Sequence, residues 1–160
     1  MSIHRYPSNA LVGDYARAGF GLLLTLGPAL AVPRDSAALW VLLPLALLFA
    51  VFAVRTLARH KATVELTQAA VSLSTWQRAT LNWSDLKQLR VDYYSTRGDR
   101  SGGWMQLTAK GDGATIRVDS AIDEFVAITR AAADAARANG VEITEATRVN
   151  LGHLGIAVDE

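Results

Sequence analysis

The sequence predicts an α-helical hairpin in a membrane joined to an α+β domain, in which a bent antiparallel sheet of about six strands is capped by one C-terminal helix. Three observations predict it. Two uncharged apolar runs, residues 18–32 and 36–54, stand close together near the start. From residue 62 the apolar period shortens to two. Over residues 122–136 it lengthens again to helical spacing.

The composition is divided in the same way. The 160 residues carry 16 Lys plus Arg against 15 Asp plus Glu, and 51% are hydrophobic, with a mean hydropathy of +0.18. Residues 1–61 hold most of the apolar length and an excess of cations, whereas residues 62–160 are net acidic. This excludes a strongly basic nucleic-acid binder. The absence of cysteine excludes disulfides, cysteine-ligated zinc and a thiol nucleophile.

A spanning helix needs about 20 mostly apolar residues, so spans are expected over about 14–32 and 36–55. The break Pro33-Arg34-Asp35 is short enough to force an antiparallel pair. Arg5 and Arg17 precede the first span, and Arg55, Arg59 and Lys61 follow the second. The positive-inside rule then places both termini in the cytoplasm. Tyr15 and Trp40 fall near span ends, as aromatic belts do. Asp14 and Arg17 are spaced to pair across one helical turn. Thr25 is the polar side chain deepest in either run, which argues against an ion path. Gly27 with Ala31, and Ala46 with Ala50, have the small-xxx-small spacing that brings helices together. Ala29-Leu30-Ala31 after Pro28 looks like a signal-peptidase site, but Asp14 spoils the leader and an uncut chain is expected.

The alternating segments fall at residues 62–67, 70–75, 78–83, 86–95, 104–110 and 114–119. Val64 and Leu66 share a face, as do Val71 and Leu73, Leu81 and Trp83, Leu89 and Val91, and Ile116 and Val118. Met105 and Leu107 lie opposite Trp104. Ser120 with Asp123 forms a capping-box pattern for a helix whose apolar face is Ile122, Phe125, Val126, Thr129, Ala133 and Ala136. Asn139-Gly140 stops it. Residues 141–160 are expected to form a C-terminal tail, with Val141 and Ile143 in a short strand and 151–158 apolar enough to dock, over the domain's own surface or, alternatively, on a partner.

Val64-Glu65-Leu66-Thr67 leading into Val71-Ser72-Leu73, then Leu81-Asn82-Trp83-Ser84-Asp85-Leu86 and the terminal helix, resemble the pleckstrin-homology-like (PH-like) domains of small bacterial membrane proteins. The resemblance covers residues 62–140. It implies a partial barrel of six to seven strands capped by a helix, with the seventh strand hidden in 93–96 or 141–144. It also implies a bacterial inner-membrane, multi-pass location, and it carries no catalytic residue to transfer.

Phosphoinositide-binding relatives cluster cations at the first hairpin. Here that turn is Thr67-Gln68-Ala69-Ala70, with no base, in a net acidic domain. Arg97 and Arg100, in the Gly-rich loop ending at Gly103, are the cations expected to touch headgroups or a partner. Arg55, Arg59 and Lys61 form the juxtamembrane cluster, which His60 extends. His4, His60 and His153 lack metal-ligand spacing. Asp119, Asp123 and Glu124 suit a helix N-terminus, and no serine stands in a nucleophile elbow. Trp76, Trp83 and Trp104 are expected to pack in the core or at an interface. Of these, Trp76 joins the cations as a partner contact.

The expected function is a non-enzymatic, membrane-anchored scaffold or accessory subunit. It needs no cofactor or metal, and it presents a cytoplasmic PH-like domain to a protein partner or a second copy of itself. The alternatives are a sensor of anionic lipid surfaces, or an accessory subunit of a membrane enzyme or transporter complex.

Overall fold

The computed structural model describes residues 1–95 and 103–157. The chain divides into two units, Pro7–Lys61 and Met1–Tyr6 together with Ala62–Glu160. The first six residues therefore belong with the β unit and not with the helices, where the sequence placed them.

The helical unit holds α1 (Ser8–Ala31) and α2 (Leu39–Lys61). Pro7 fixes the entry to α1 with φ −66°, so the helix starts well before the expected residue 14. The pair runs antiparallel. Asp14 near the start of α1 meets Arg59 near the end of α2, and Gly21 lies under the ring of Phe49, where a Cβ would collide. Ala18, Gly21 and Thr25 form the buried face of α1, and Ala46 and Thr56 that of α2. Gly27 and Ala31, expected at the helix contact, are exposed instead. The three-to-four spacing from Leu11 through Ala18, Gly21 and Thr25 sets the buried stripe, and Gly27 falls off it. Thr25 Oγ1 donates to Gly21 O at 2.7 Å and Thr56 Oγ1 to Phe52 O at 3.0 Å, so neither hydroxyl is left unsatisfied.

Among the described residues α2 is the helix long and apolar enough to cross a membrane. In α1, Asp14, Arg17, Pro28 and four glycines dilute the apolar run. Large apolar side chains nonetheless stand exposed on both helices, Leu23 and Leu30 on α1 and Trp40, Leu47 and Leu48 on α2 among them.

The β unit is α+β with two antiparallel sheets rather than one bent sheet. The first has the order β1 (Ser2–Arg5), β2 (Thr63–Leu66), β3 (Ala70–Ser74) and β4 (Arg78–Asn82). The second is β5 (Leu86–Tyr94), β6 (Trp104–Gly111) and β7 (Ala114–Asp119). A 3-10 turn, Trp83–Asp85, separates them. It buries Trp83, whose indole Nε1 donates to Thr67 O at 3.2 Å, so the ladder does not continue from β4 into β5. Gly111 sits against Asp85 O and Leu81, a closeness that leaves no room for a Cβ. β4 lies against β7 and draws the two sheets together.

Among the described residues the seventh strand is β1; of the expected places for it, residue 96 lies outside the described residues. Tyr93 and Tyr94 simply end β5, and 141–144 form no strand. β1 pairs with β2 as Ile3 with Glu65, His4 with Val64 and Arg5 with Thr63. Its far end is tied by Asp123 N–H, which donates to Arg5 O at 3.1 Å, and by Tyr6 Oη, which accepts from Asp119 N–H at 3.3 Å.

Val64, Val71, Leu81, Leu89, Val91, Leu107, Ala109, Ile116 and Val118 fill the core. They fall on the alternate positions that a half-buried strand dictates. The capping helix α3 (Phe125–Ala138) adds Phe125, Ile128, Thr129, Ala132, Ala133 and Ala136. It begins at Phe125, after Glu124 turns through the left-handed region at φ 55°, and not at the Ser120 box. Ser120 Oγ is taken by Met105 N–H at 3.0 Å and is not free to cap a helix. Val126, expected on the apolar face, points outward, and Ile128 takes its place.

The described part of the tail lies over the β unit's own surface, as expected, but through a helix and not a short strand. A fourth helix, α4 (Glu145–His153), is capped by the Thr144 side chain and docks on β5. Thr147 and Leu151 are fully buried. Asn150 Nδ2 donates to Val91 O at 2.8 Å, and Val91 N–H reaches Thr147 Oγ1 at 3.4 Å. These side chains satisfy the side of β5 that has no strand beside it. Asn139 does the same for the 3-10 turn, donating to Trp83 O at 2.6 Å.

Candidate interaction surfaces

The residues singled out from sequence fall in different places. Arg55, Arg59 and Lys61 lie on α2. Arg59 Nη1 and Arg17 Nη1 each stand 3.3 Å from the Asp14 carboxylate, so Asp14 joins the two helices and not only its own turn. Beside it, Tyr15 Oη and His60 Nδ1 are 2.9 Å apart, and the two rings meet edge-on. One end of the helix pair thus carries a knot of polar groups: Asp14, Tyr15 and Arg17 from α1, and Arg59 and His60 from α2.

Trp76 stands in the β3–β4 turn and is 64% exposed. Arg97 and Arg100 lie outside the described residues. The three tryptophans of the β unit differ in setting. Trp83 is buried, Trp76 is in its turn, and Trp104 stacks on Tyr94 with ring centroids 4.6 Å apart and an interplanar angle of 23°.

The outer face of the second sheet has a register that sequence reasoning passed over, because alternating polar residues read only as a solvated face. Cross-strand pairing sets Arg90 beside Thr108 and Arg117, and Gln88 beside Lys110 and Thr115. Asp92, Gln106 and Asp119 form the next row, and Tyr94 with Trp104 the last. A shallow cavity of about 300 Å³ lies over this face, bounded by Arg90, Tyr94, Thr108, Lys110 and Arg117.

A second cavity, about 460 Å³, opens between α3 and α4 over Leu89, with Arg137, Glu142 and Arg148 at its rim. Both arginines are already engaged. Arg148 meets Glu145 at 2.7 Å, and Arg137 donates to Ala157 O at 2.6 Å.

The Asp85 carboxylate has a displaced acidity. Asn82 Nδ2 at 2.9 Å and Ser84 Oγ at 3.0 Å donate to it, and Lys87 is near, so its pKa lies below the ordinary value. These bonds brace the 3-10 turn and mark no reactive acid. Among the described residues no three His, Asp or Glu side chains gather to hold a metal. No family model, no curated protein and no solved structure matches the chain.

Proposed function

We propose that the helix pair crosses a bacterial inner membrane twice, and that the β unit is a non-catalytic, PH-like interaction module held at the cytoplasmic surface. The observation that carries this reading is the pairing of β1 with β2. Two strands bonded in one sheet lie on the same side of any bilayer. The chain between Arg5 and Thr63 therefore crosses an even number of times. If α2 crosses, α1 is the helix that makes the other crossing, although its own hydropathy falls short. The exposed apolar side chains on both helices support the same reading, since a bilayer is the solvent in which they cost nothing. Asp14, Arg17, Arg59 and His60 then gather at one interface, where charges are tolerated.

Cytoplasmic orientation follows from the cations at that end, Arg17, Arg55, Arg59 and Lys61, against Arg34 alone at the opposite turn. The PH-like reading draws on four plus three antiparallel strands with a helix packed at their end. The protein partner is inferred from the exposed Trp76 and from the cation-bearing outer sheet face.

The chain has no native cysteine, which makes labelling clean. Ser36→Cys is expected to react with a membrane-impermeant maleimide in intact spheroplasts, and Ser84→Cys only after lysis. Equal reaction at both sites before lysis, or release of the protein by alkaline carbonate, overturns the double crossing.

A further inference from the structure

We infer that the outer face of the β5–β6–β7 sheet is a docking surface for an extended acidic segment of a partner protein, one that carries an aromatic or large apolar residue four and six positions from its two carboxylates. The inference deepens the reading of the β unit as an interaction module and rests on it.

Charge is the first argument. Residues 62–160 are net acidic, yet Arg90, Lys110 and Arg117 stand in two adjacent rows of one exposed face. Arg90 is held by Asp92 at 3.1 Å. Asp119, the other acid on the face, accepts from Ala121 N–H at 3.1 Å. A local positive patch on an acidic domain selects an anionic partner.

The aromatic row is the second argument. Tyr94 and Trp104 are stacked, yet each stays more than 40% exposed. Rigid Tyr and Trp rings next to Arg are the residue types that dominate binding energy at interfaces. Tyr93 Oη, accepting from Gly103 N–H at 2.8 Å, ties the same end of the β5–β6 ladder.

Spacing is the third. Arg90 and Tyr94 lie on one strand face four residues apart, about 13 Å at the usual strand rise. A segment lying along the strands therefore sets one carboxylate over Arg117, four positions from the apolar residue that meets Tyr94 and Trp104, and a second over Lys110, six positions away. The row between them, Asp92, Gln106 and Asp119, faces the neutral polar residues in the middle of such a segment. The pattern favours a peptide over a membrane, because two carboxylates in the middle of the face oppose a flat anionic surface.

The test uses the full chain in zwitterionic nanodiscs and three probes: the capped peptide Glu-Ser-Glu-Ser-Ser-Ser-Phe, its lysine counterpart, and vesicles containing phosphatidylglycerol. The acidic peptide is expected to move the backbone amide resonances of Thr108, Lys110 and Arg117 and the Trp104 indole signal. Its affinity is expected to fall at least tenfold in K110E/R117E, and to fall as salt rises. Trp104→Ala is expected to weaken it separately, and thermal melting confirms that both variants are folded. Equal binding of the lysine peptide, unchanged affinity in K110E/R117E, or shifts confined to other residues overturns the proposal. So does binding of the anionic vesicles alone. Each of these results leaves the maleimide labelling of Ser36→Cys standing, so the two readings fail separately.

Discussion

Arg5 stands opposite Thr63 in the first sheet, although both long helices lie between them in the chain. The helix pair is thus an insertion into what would otherwise be a single β-hairpin connection. Ile3→Cys with Glu65→Cys tests this register, because directly paired residues sit within disulfide reach. Mild oxidation is expected to cross-link that pair, giving a mobility shift on a non-reducing gel. Ile3→Cys with Thr80→Cys, three strands apart in the same row, is expected to stay reduced.

Gly21 and Gly27 discriminate the two faces of α1. A Cβ at Gly21 runs into the Phe49 ring, whereas one at Gly27 meets nothing within 4 Å. Gly21→Val is expected to destabilise the helix pair by about 1–3 kcal/mol through overpacking. Gly27→Val is expected to leave it unchanged or slightly firmer. Thermal melting of the helical circular dichroism signal in mild detergent reads both.

Ile128 and Val126 make the same comparison on α3. Ile128 is fully buried and Val126 is 39% exposed. Ile128→Ala is expected to cost about 2–5 kcal/mol in denaturant unfolding, and Val126→Ala less than about 0.5 kcal/mol. Similar losses at both positions would mean that the helix presents a different face to the sheet.

Asp85 gives the β unit an acid-sensitive corner. Its folded pKa is lowered by Asn82 and Ser84, so the unfolded chain binds this proton more readily. The stabilisation is fully present above the ordinary carboxylate value of 3.8. It is lost as pH falls through the depressed folded value. Asp85→Asn is expected to flatten the stability profile in that acidic window and to leave its shape near neutrality unchanged. Denaturant titrations at stepped pH measure it.

The strands of the β unit were legible because Val71, Leu81, Val91, Leu107 and Ile116 alternate with polar neighbours, and one buried face leaves few other registers. β1 was not, because Ser-Ile-His-Arg buries only His4 and exposes Ile3, the reverse of what hydropathy suggests. α4 was hidden for a related reason. It is anchored by Thr147 and Asn150 bonding to the Val91 backbone, and hydroxyl and amide side chains read as surface until their partner strand is known. The Ser120 cap failed because Met105 N–H competes for its hydroxyl from across the sheet, a contact beyond any local window. Of the residues proposed as partner contacts, Trp76 is exposed and Arg59 is tied to Asp14. The second sheet's cations went unremarked, since only cross-strand register gathers Arg90, Lys110 and Arg117.

The antiparallel return of α2 along α1 also bears on how the first sheet forms. Joining β1 to β2 across so long an insertion carries a loop-closure entropy that grows with the length of free chain. Once Asp14 meets Arg59 and Phe49 covers Gly21, the inserted chain ends close to where it began. Only the few residues flanking the helices then remain to be ordered. The helix pair thus acts as a clasp that shortens the effective loop between the first two strands.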